Sequence, residues 1–146
     1  MASLVSEEIF FNILVLLFII YLCFVSIIDV KTKKIKNHNV LILLLLSFFI
    51  AIISVNHLAD LWIHFLAMFL GMIALWPAWK RGFVGGGDLK IMAPIAMVDP
   101  FHLFQTMIFA YIFSVVSILL KQKRYPFAPF LSLGFICALF IHIIPF

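Results

Sequence analysis

The sequence predicts an all-α membrane protein, and three observations support that fold class. Apolar residues make up 66% of the 146 residues and charged residues only 11%, unlike the composition of a soluble domain. The apolar residues form runs close to the ~20 residues that a helix needs to cross ~30 Å of hydrocarbon. The 10 basic residues are confined to clusters that follow alternate runs.

Six runs are predicted to be membrane-spanning helices, and together they make a single membrane-embedded domain over residues 1–146. The runs are residues 9–28, 40–55, 61–79, 85–98, 101–120 and 127–146. The fourth run is short, begins with glycines and contains a proline. A topology with five crossings and one re-entrant segment is therefore the alternative to six crossings.

The placement of positive charge favours six crossings. The basic clusters are Lys31, Lys33, Lys34 and Lys36; Lys80, Arg81 and Lys90; and Lys121, Lys123 and Arg124. They follow the first, third and fifth runs, and the other connections contain no basic residue. Because cytoplasmic loops are enriched in Lys and Arg, we expect these clusters in the cytoplasm and both termini outside. An odd number of crossings would break that pattern.

Four of the six acidic residues lie on the outer side in this topology, at Glu7, Glu8, Asp60 and Asp99. Asp60 and Asp99 immediately precede the third and fifth spans. A carboxylate in that position accepts hydrogen bonds from free backbone N–H groups and faces the positive end of the helix dipole. We therefore interpret Asp60 and Asp99 as helix caps.

Asp29 is one of two acids on the cytoplasmic side, and helix capping does not explain it. It closes the first span, at a helix C-terminus whose dipole disfavours an anion. An ion pair with Lys33, four residues on, is the structural alternative. An exposed pair of this kind contributes only ~0.3–0.5 kcal/mol, which is a weak reason for its presence.

Asp88 is the other cytoplasmic acid, and it follows three consecutive glycines, Gly85, Gly86 and Gly87. An N-cap for the fourth span would explain Asp88 alone, but a simple cap does not need the glycines. Glycine permits positive φ and the close approach of another backbone, at a cost in helix propensity. Irregular backbone at membrane depth is tolerated where it is enclosed by protein or lines a wet cavity. The pattern therefore predicts a cavity with Asp88 in its wall.

Asp29 and Asp88 together suggest acid–base chemistry. Two carboxylates in a partly desolvated site do not both ionise easily, so they can share one proton. The ionised member then removes a proton from water while the protonated member polarises a carbonyl group, as in aspartic proteases. Intramembrane carboxylates also serve as proton or cation sites, so a small transporter or channel subunit is the alternative.

The residues around both acids resemble the type IV prepilin peptidases, which are membrane aspartyl proteases of the GxGD type. Asp29 is followed by Ile35 and Asn37 at the family spacing, with Lys36 where proline is usual. The family's GxGD and following lysine are matched by GGGDLK, residues 85–90. A PFxP-like start to the last span is matched by PFAP, residues 126–129. These motifs occur in the family's order and cover most of the chain.

The resemblance implies a metal-independent aspartic endopeptidase that uses no cofactor. The expected catalytic residues are Asp29 and Asp88. The residues expected to bind substrate or support the backbone are Gly85, Gly86, Gly87, Asn37, Lys90, Pro126, Phe127 and Pro129. The expected substrate is a prepilin or pseudopilin whose short basic leader is removed on the cytoplasmic face, and the expected location is the bacterial inner membrane. Membrane lipids are expected partners and nucleic acid is not.

Longer family members carry an N-methyltransferase region with paired CxxC motifs, and this sequence contains no such motif. It resembles the short forms that serve Flp, or tight-adherence, pili, so we expect peptidase activity without N-methylation. An inactive scaffold in a pilus assembly complex is a further alternative, which intact Asp29 and Asp88 disfavour. The sequence does not indicate the oligomeric state.

Overall fold

The computed structural model describes residues 2–32, 34–55, 57, 60–82, 84–119 and 127–143, with side chains between residues 9 and 113 and between 127 and 140. These residues form six helices and no strand, which confirms the all-α prediction. The helices are α1 (Ala2–Thr32), α2 (Asn37–Ser54), α3 (Leu61–Lys80), α4 (Gly86–Val98), α5 (Leu103–Leu119) and α6 (Ala128–Ile143). They match the six predicted runs in order, with boundaries that shift by several residues.

Three of the helices are long and apolar enough to cross a membrane. These segments are Ile9–Thr32 in α1, Asn37–Ser54 in α2 and Leu61–Lys80 in α3. Each presents large apolar side chains on its outer surface, such as Phe24, Phe49 and Phe69. In hydrocarbon a helix satisfies its own backbone N–H and C=O groups, so these exposed apolar faces suit contact with lipid.

The short helix α4 is enclosed by the other helices. Every residue from Ile91 to Val98 is buried, and α4 packs against α2, α3 and α6. Around this centre, α1 packs against α2 and α6, while α5 packs against α6. An enclosed helix faces protein rather than lipid, which explains how a segment of only 13 residues with an internal Pro94 is accommodated.

Successive helices run in opposite directions, which gives the bundle two distinct ends. One end, here called the aspartate end, holds the last turn of α1 and the first turns of α2, α4 and α6. At this end α3 stops at Lys80, and Gly82 follows with a φ of 76° while its amide donates to the Trp79 carbonyl oxygen. A glycine in this left-handed conformation ends the helix and turns the chain back toward α4.

The helices α5 and α6 approach each other closely at Gly134. A Cβ atom on Gly134 would lie 2.6 Å from the Thr106 carbonyl oxygen and 2.9 Å from the Ala110 nitrogen. Both atoms belong to the backbone of α5, so no side-chain rotation could relieve the contact. On the other side of α6, the rings of Phe135 and Phe18 of α1 pack edge to face with centroids 5.7 Å apart.

We predict that Gly134→Ala lowers the free energy of unfolding by about 1–3 kcal/mol, because the added methyl group forces α5 and α6 apart. Thermal unfolding of the purified protein in detergent measures this loss. Gly86→Ala is the matched control, since its Cβ would meet only the end of the Trp79 side chain at 3.4 Å. Equal unfolding temperatures for the two variants would contradict the prediction.

Candidate active site

Asp29 lies in the last turn of α1 and is buried among the helix ends of the aspartate end. Its side chain is 5% exposed, and its Oδ2 atom is buried without a hydrogen-bond partner. The predicted location at the end of the first helix is therefore confirmed. Lys33, the alternative partner suggested by the sequence, lies outside the described residues.

Asp88 lies in the first turn of α4 and is equally buried, at 5% exposure. It is not the N-cap that the sequence left open, because it is the third residue of the helix. Its Oδ2 atom accepts a hydrogen bond from the backbone N–H of Gly85, the N-cap residue, at 2.9 Å. This is half of a capping box; the reciprocal bond cannot form because Gly85 has no side chain. The Asp88 Oδ1 atom is buried without a partner.

The two carboxylates lie close enough for the charge of Asp29 to act on Asp88. The backbone N–H groups of Phe127 and Ala128, at the beginning of α6, also interact electrostatically with the Asp88 carboxylate. Three chain segments that are far apart in sequence therefore meet here: the end of α1, the beginning of α4 and the beginning of α6. Two unpartnered carboxylate oxygens remain in this buried space.

The three glycines do not use the positive φ that glycine permits. Gly85 is extended, with φ −73° and ψ 153°, and Gly86 and Gly87 already belong to α4. Among the described glycines only Gly82 has positive φ. The expectation of an irregular turn at residues 85–87 was wrong because the helix begins earlier than Asp88.

Close approach, the other role expected of the glycines, occurs at Gly87, but the approaching group is a side chain rather than a backbone. A Cβ atom on Gly87 would lie 2.9 Å from Ile35 Cδ1 and 3.2 Å from Ile35 Cβ. Ile35 belongs to the short connection between α1 and α2. The glycine thus lets this connection pack directly against the helix turn that carries Asp88.

Asn37 and Lys90 are brought together by a hydrogen bond. Lys90 Nζ donates to Asn37 Oδ1 at 2.8 Å, at the exposed rim of the aspartate end. The exposed Lys90 side chain therefore binds the first residue of α2. This bond joins the start of α2 to α4, beside the contact of Ile35 with Gly87.

The PFAP segment contributes the beginning of α6. Phe127 is buried, and its ring contacts those of Tyr111 and Phe130. Pro129 is half-buried in the first turn of the helix. Pro126, which the sequence analysis also placed at the site, lies outside the described residues.

The sequence analysis assigned no role to two buried serines near the acids, Ser26 on α1 and Ser132 on α6, whose hydroxyl groups are hydrogen-bonded. The sequence contains only a weak signal for a role of these two serines. Ser26 interrupts an apolar run one helical turn before Asp29, and nothing in the sequence pairs it with a residue 106 positions away.

At the opposite end of the bundle the two outer aspartates behave differently. Asp99 accepts a hydrogen bond from the backbone N–H of His102 at 3.1 Å, but His102 precedes α5 and Asp99 itself is the C-cap residue of α4, so the carboxylate closes the turn between the two helices rather than capping α5. Asp60 occupies the N-cap position of α3 but makes no side-chain capping bond, so that prediction was wrong. Its φ and ψ of −79° and −14° are already helical, whereas a capping residue normally has extended backbone.

A cavity of about 600 Å³ also lies at this opposite end, with mainly apolar walls that include His64 and Asp99. The His64 Nδ1 atom is 2.7 Å from the Met97 carbonyl oxygen, so this nitrogen carries the proton and donates. Within the described part of the chain, no group of three or more His, Cys, Asp or Glu side chains could hold a metal ion.

The fold and the buried acids define an α-helical, multi-pass membrane protein with two carboxyl groups at one end of its core. A model of the type IV leader peptidase family matches residues 16–144, and the chain belongs to that family. The prepilin peptidase resemblance seen in the sequence is thereby confirmed, and the protein is a protease of the leader peptidase type. No curated protein and no solved structure matches the chain.

The contact between Gly87 and Ile35 leads to a prediction. Gly87→Ala should lower the rate of leader cleavage, because a methyl group within 3 Å of Ile35 displaces the α1–α2 connection or the first turn of α4. Ile35→Ala removes Cδ1 and Cγ1, two of the three opposing atoms, and leaves only Cβ at 3.2 Å, so the double variant should recover much of that rate. Cleavage by the purified variants is followed by mass spectrometry. A double variant no better than Gly87→Ala alone would refute this explanation of the glycine.

Proposed function

We propose that this protein is an aspartic endopeptidase that removes the leader peptide of prepilin-like proteins at the cytoplasmic face of the bacterial inner membrane. Asp29 and Asp88 form its catalytic dyad. The observation that carries the proposal is the pair of buried, unpartnered oxygens, Asp29 Oδ2 and Asp88 Oδ1, on two carboxylates close enough to interact. Membership of the leader peptidase family supports the type of reaction.

Unpartnered buried carboxylate oxygens are costly and therefore call for an explanation. Leaving a buried polar atom without a hydrogen bond typically costs about 1–3 kcal/mol, and more when the group is charged. A water molecule and a proton held between the two carboxyl groups would satisfy both oxygens. These are also the two components that peptide hydrolysis by a dyad requires.

The proposed reaction uses the two acids in complementary roles. The ionised carboxylate takes a proton from water as the water oxygen attacks the scissile carbonyl carbon, and the protonated carboxyl group donates a hydrogen bond to the carbonyl oxygen. Collapse of the tetrahedral intermediate breaks the C–N bond, and the departing nitrogen receives a proton from the dyad.

The closed arrangement of the site bears on how a substrate enters. Both aspartates are 95% buried, and the α1–α2 connection packs over Gly87 through Ile35. An extended peptide therefore reaches the acids only after part of the aspartate end moves. A prepilin-like substrate suits this path, because its apolar helix stays in the membrane while the preceding leader reaches the aspartate end.

The charge distribution supports a cytoplasmic site. The described basic residues at the aspartate end are Lys31, Lys34, Lys36, Lys80, Arg81 and Lys90. Under the positive-inside rule this end faces the cytoplasm, and six crossings then place both termini outside. Exposed lysines here would also attract anionic lipid headgroups.

Transport, the alternative function, needs a polar path across the membrane, and the described core does not favour one. The cavity at the opposite end is separated from the aspartates by buried apolar side chains of three helices. These include Leu22 and Val25 of α1, Ile91 and Ile95 of α4, and Leu131 of α6. Hydrolysis at one end of the bundle needs no such path.

We predict that Asp29→Asn and Asp88→Asn each lower the rate of leader cleavage by about 10²-fold to 10⁴-fold, the usual contribution of acid–base catalysis. Both variants should remain in the membrane, because amide and carboxyl groups have nearly the same size. Asp60→Asn is the matched control, since Asp60 is exposed, makes no capping bond and lies at the other end. Near-normal cleavage by either dyad variant would exclude that residue from the dyad.

The proposed topology predicts which positions a membrane-impermeant thiol reagent can reach. In a variant lacking Cys23 and Cys137, Lys36→Cys should be labelled only after the membrane is permeabilised. Asp60→Cys should be labelled in intact cells, because it lies at the opposite, outward-facing end. Both positions are exposed in the structure. Labelling of Lys36→Cys in intact cells would place the aspartate end outside and contradict the proposal.

A further inference from the structure

We propose that Ser26 and Ser132 are positioning residues whose hydroxyl groups link α1 to α6 and so set the relative position of the two aspartates. Ser26 lies three residues before Asp29, one turn further from the aspartate end. Ser132 lies in the second turn of α6. The two hydroxyl oxygens are 3.1 Å apart, and the side chains are 5% and 4% exposed. This inference rests on the proposed dyad.

The link between the helices is made in two of the three possible arrangements of the hydroxyl protons. Ser26 Oγ is 2.9 Å from the Leu22 carbonyl oxygen, and Ser132 Oγ is 2.9 Å from the Pro129 carbonyl oxygen. Each hydroxyl has one proton, so two protons serve three contacts. Ser26 can donate to Ser132 and Ser132 to Pro129, or Ser132 can donate to Ser26 and Ser26 to Leu22; both arrangements make the bond between the helices. In a third arrangement each hydroxyl donates to the carbonyl of its own helix, but this leaves two oxygens 3.1 Å apart with no proton between them, so their lone pairs repel each other.

The position of α6 matters for the acids because its first residues lie beside Asp88. The backbone N–H groups of Phe127 and Ala128 interact with that carboxylate, and Pro129 follows directly. Asp29 is carried by α1. A hydrogen bond that joins Ser26 to the first turns of α6 therefore fixes the Asp29 helix relative to the donors that surround Asp88.

Packing alone does not require these hydroxyl groups. The rings of Phe18 and Phe135 already hold α1 against α6 further from the acids, and an alanine at either serine would keep an apolar contact there. Ser47 shows the contrasting case, since its buried hydroxyl bonds only to the Leu44 carbonyl oxygen of its own helix. A directional bond between two helices adds orientation to contacts that are otherwise nonspecific.

The experiment compares Ser26→Ala, Ser132→Ala and the double variant with Ser47→Ala and with the two conservative variants, Ser26→Thr and Ser132→Thr. The full chain is purified in detergent, and kcat and KM are measured on a prepilin-like substrate with a short basic leader before an apolar helix. Thermal unfolding is measured on the same samples. Asp29→Asn and Asp88→Asn are assayed in parallel.

Each alanine variant should lower kcat roughly ten-fold while KM changes less than two-fold, as expected when reacting groups are misplaced by a fraction of an ångström. The double variant should be no slower than the slower single variant, because both substitutions remove the same bond. A threonine variant that folds should retain most of kcat, because it keeps the hydroxyl group. Ser47→Ala should match the wild type in kcat.

Three results would overturn the inference while leaving the proposed function intact: wild-type kcat in either alanine variant, kcat losses that multiply in the double variant, or an equal loss in Ser47→Ala. A general loss of packing would lower the unfolding temperature of Ser47→Ala as well. It would not produce a fall in kcat at a nearly unchanged KM. If the Asp29 and Asp88 variants retain activity, the proposed dyad fails, and the positioning role fails with it.

Discussion

The interaction on which this structure depends is the burial of two mutually repelling carboxyl groups at one end of a helix bundle. Asp29 and Asp88 are each 95% buried, and each has one oxygen without a partner. Such a pair persists only where the surrounding helices hold it in place. The Gly85 N–H group and the first N–H groups of α6 provide compensation for Asp88. The stability of the whole bundle therefore sustains a locally unfavourable site.

The enclosed helix α4 is what makes this placement possible. Because the residues from Ile91 to Val98 are buried in protein, the helix can be as short as 13 residues. Gly87, in the first turn of α4, leaves room for Ile35 of the α1–α2 connection. At the exposed rim of the aspartate end, Lys90 donates a hydrogen bond to Asn37. These two contacts join the α1–α2 connection and the start of α2 to the helix that carries Asp88, so the position of that aspartate depends on both.

The sequence predicted much of this arrangement, for physical reasons that also mark its limits. Apolar runs form helices in a membrane because hydrocarbon offers no partner to an unpaired backbone N–H or C=O group. The six helices, and the positions of Asp29 and Asp88 near helix ends, could therefore be predicted from the sequence. The conformation of Gly85 to Gly87 was not, because glycine permits a turn without requiring one. The failed cap at Asp60 depends on local backbone angles, and the link between Ser26 and Ser132 joins residues 106 positions apart. Neither leaves a periodic signal in sequence.

The depth of the aspartates reconciles two requirements of peptide hydrolysis that otherwise conflict. Shared-proton chemistry needs desolvation, whereas hydrolysis consumes water, which the hydrocarbon excludes. Asp29 is three residues from the end of α1, about 4.5 Å along the axis, and Asp88 is the third residue of α4. Both acids thus lie within one helical turn of the bundle surface while still being enclosed. A movement confined to the aspartate end would admit water and peptide together, without a channel through the apolar core.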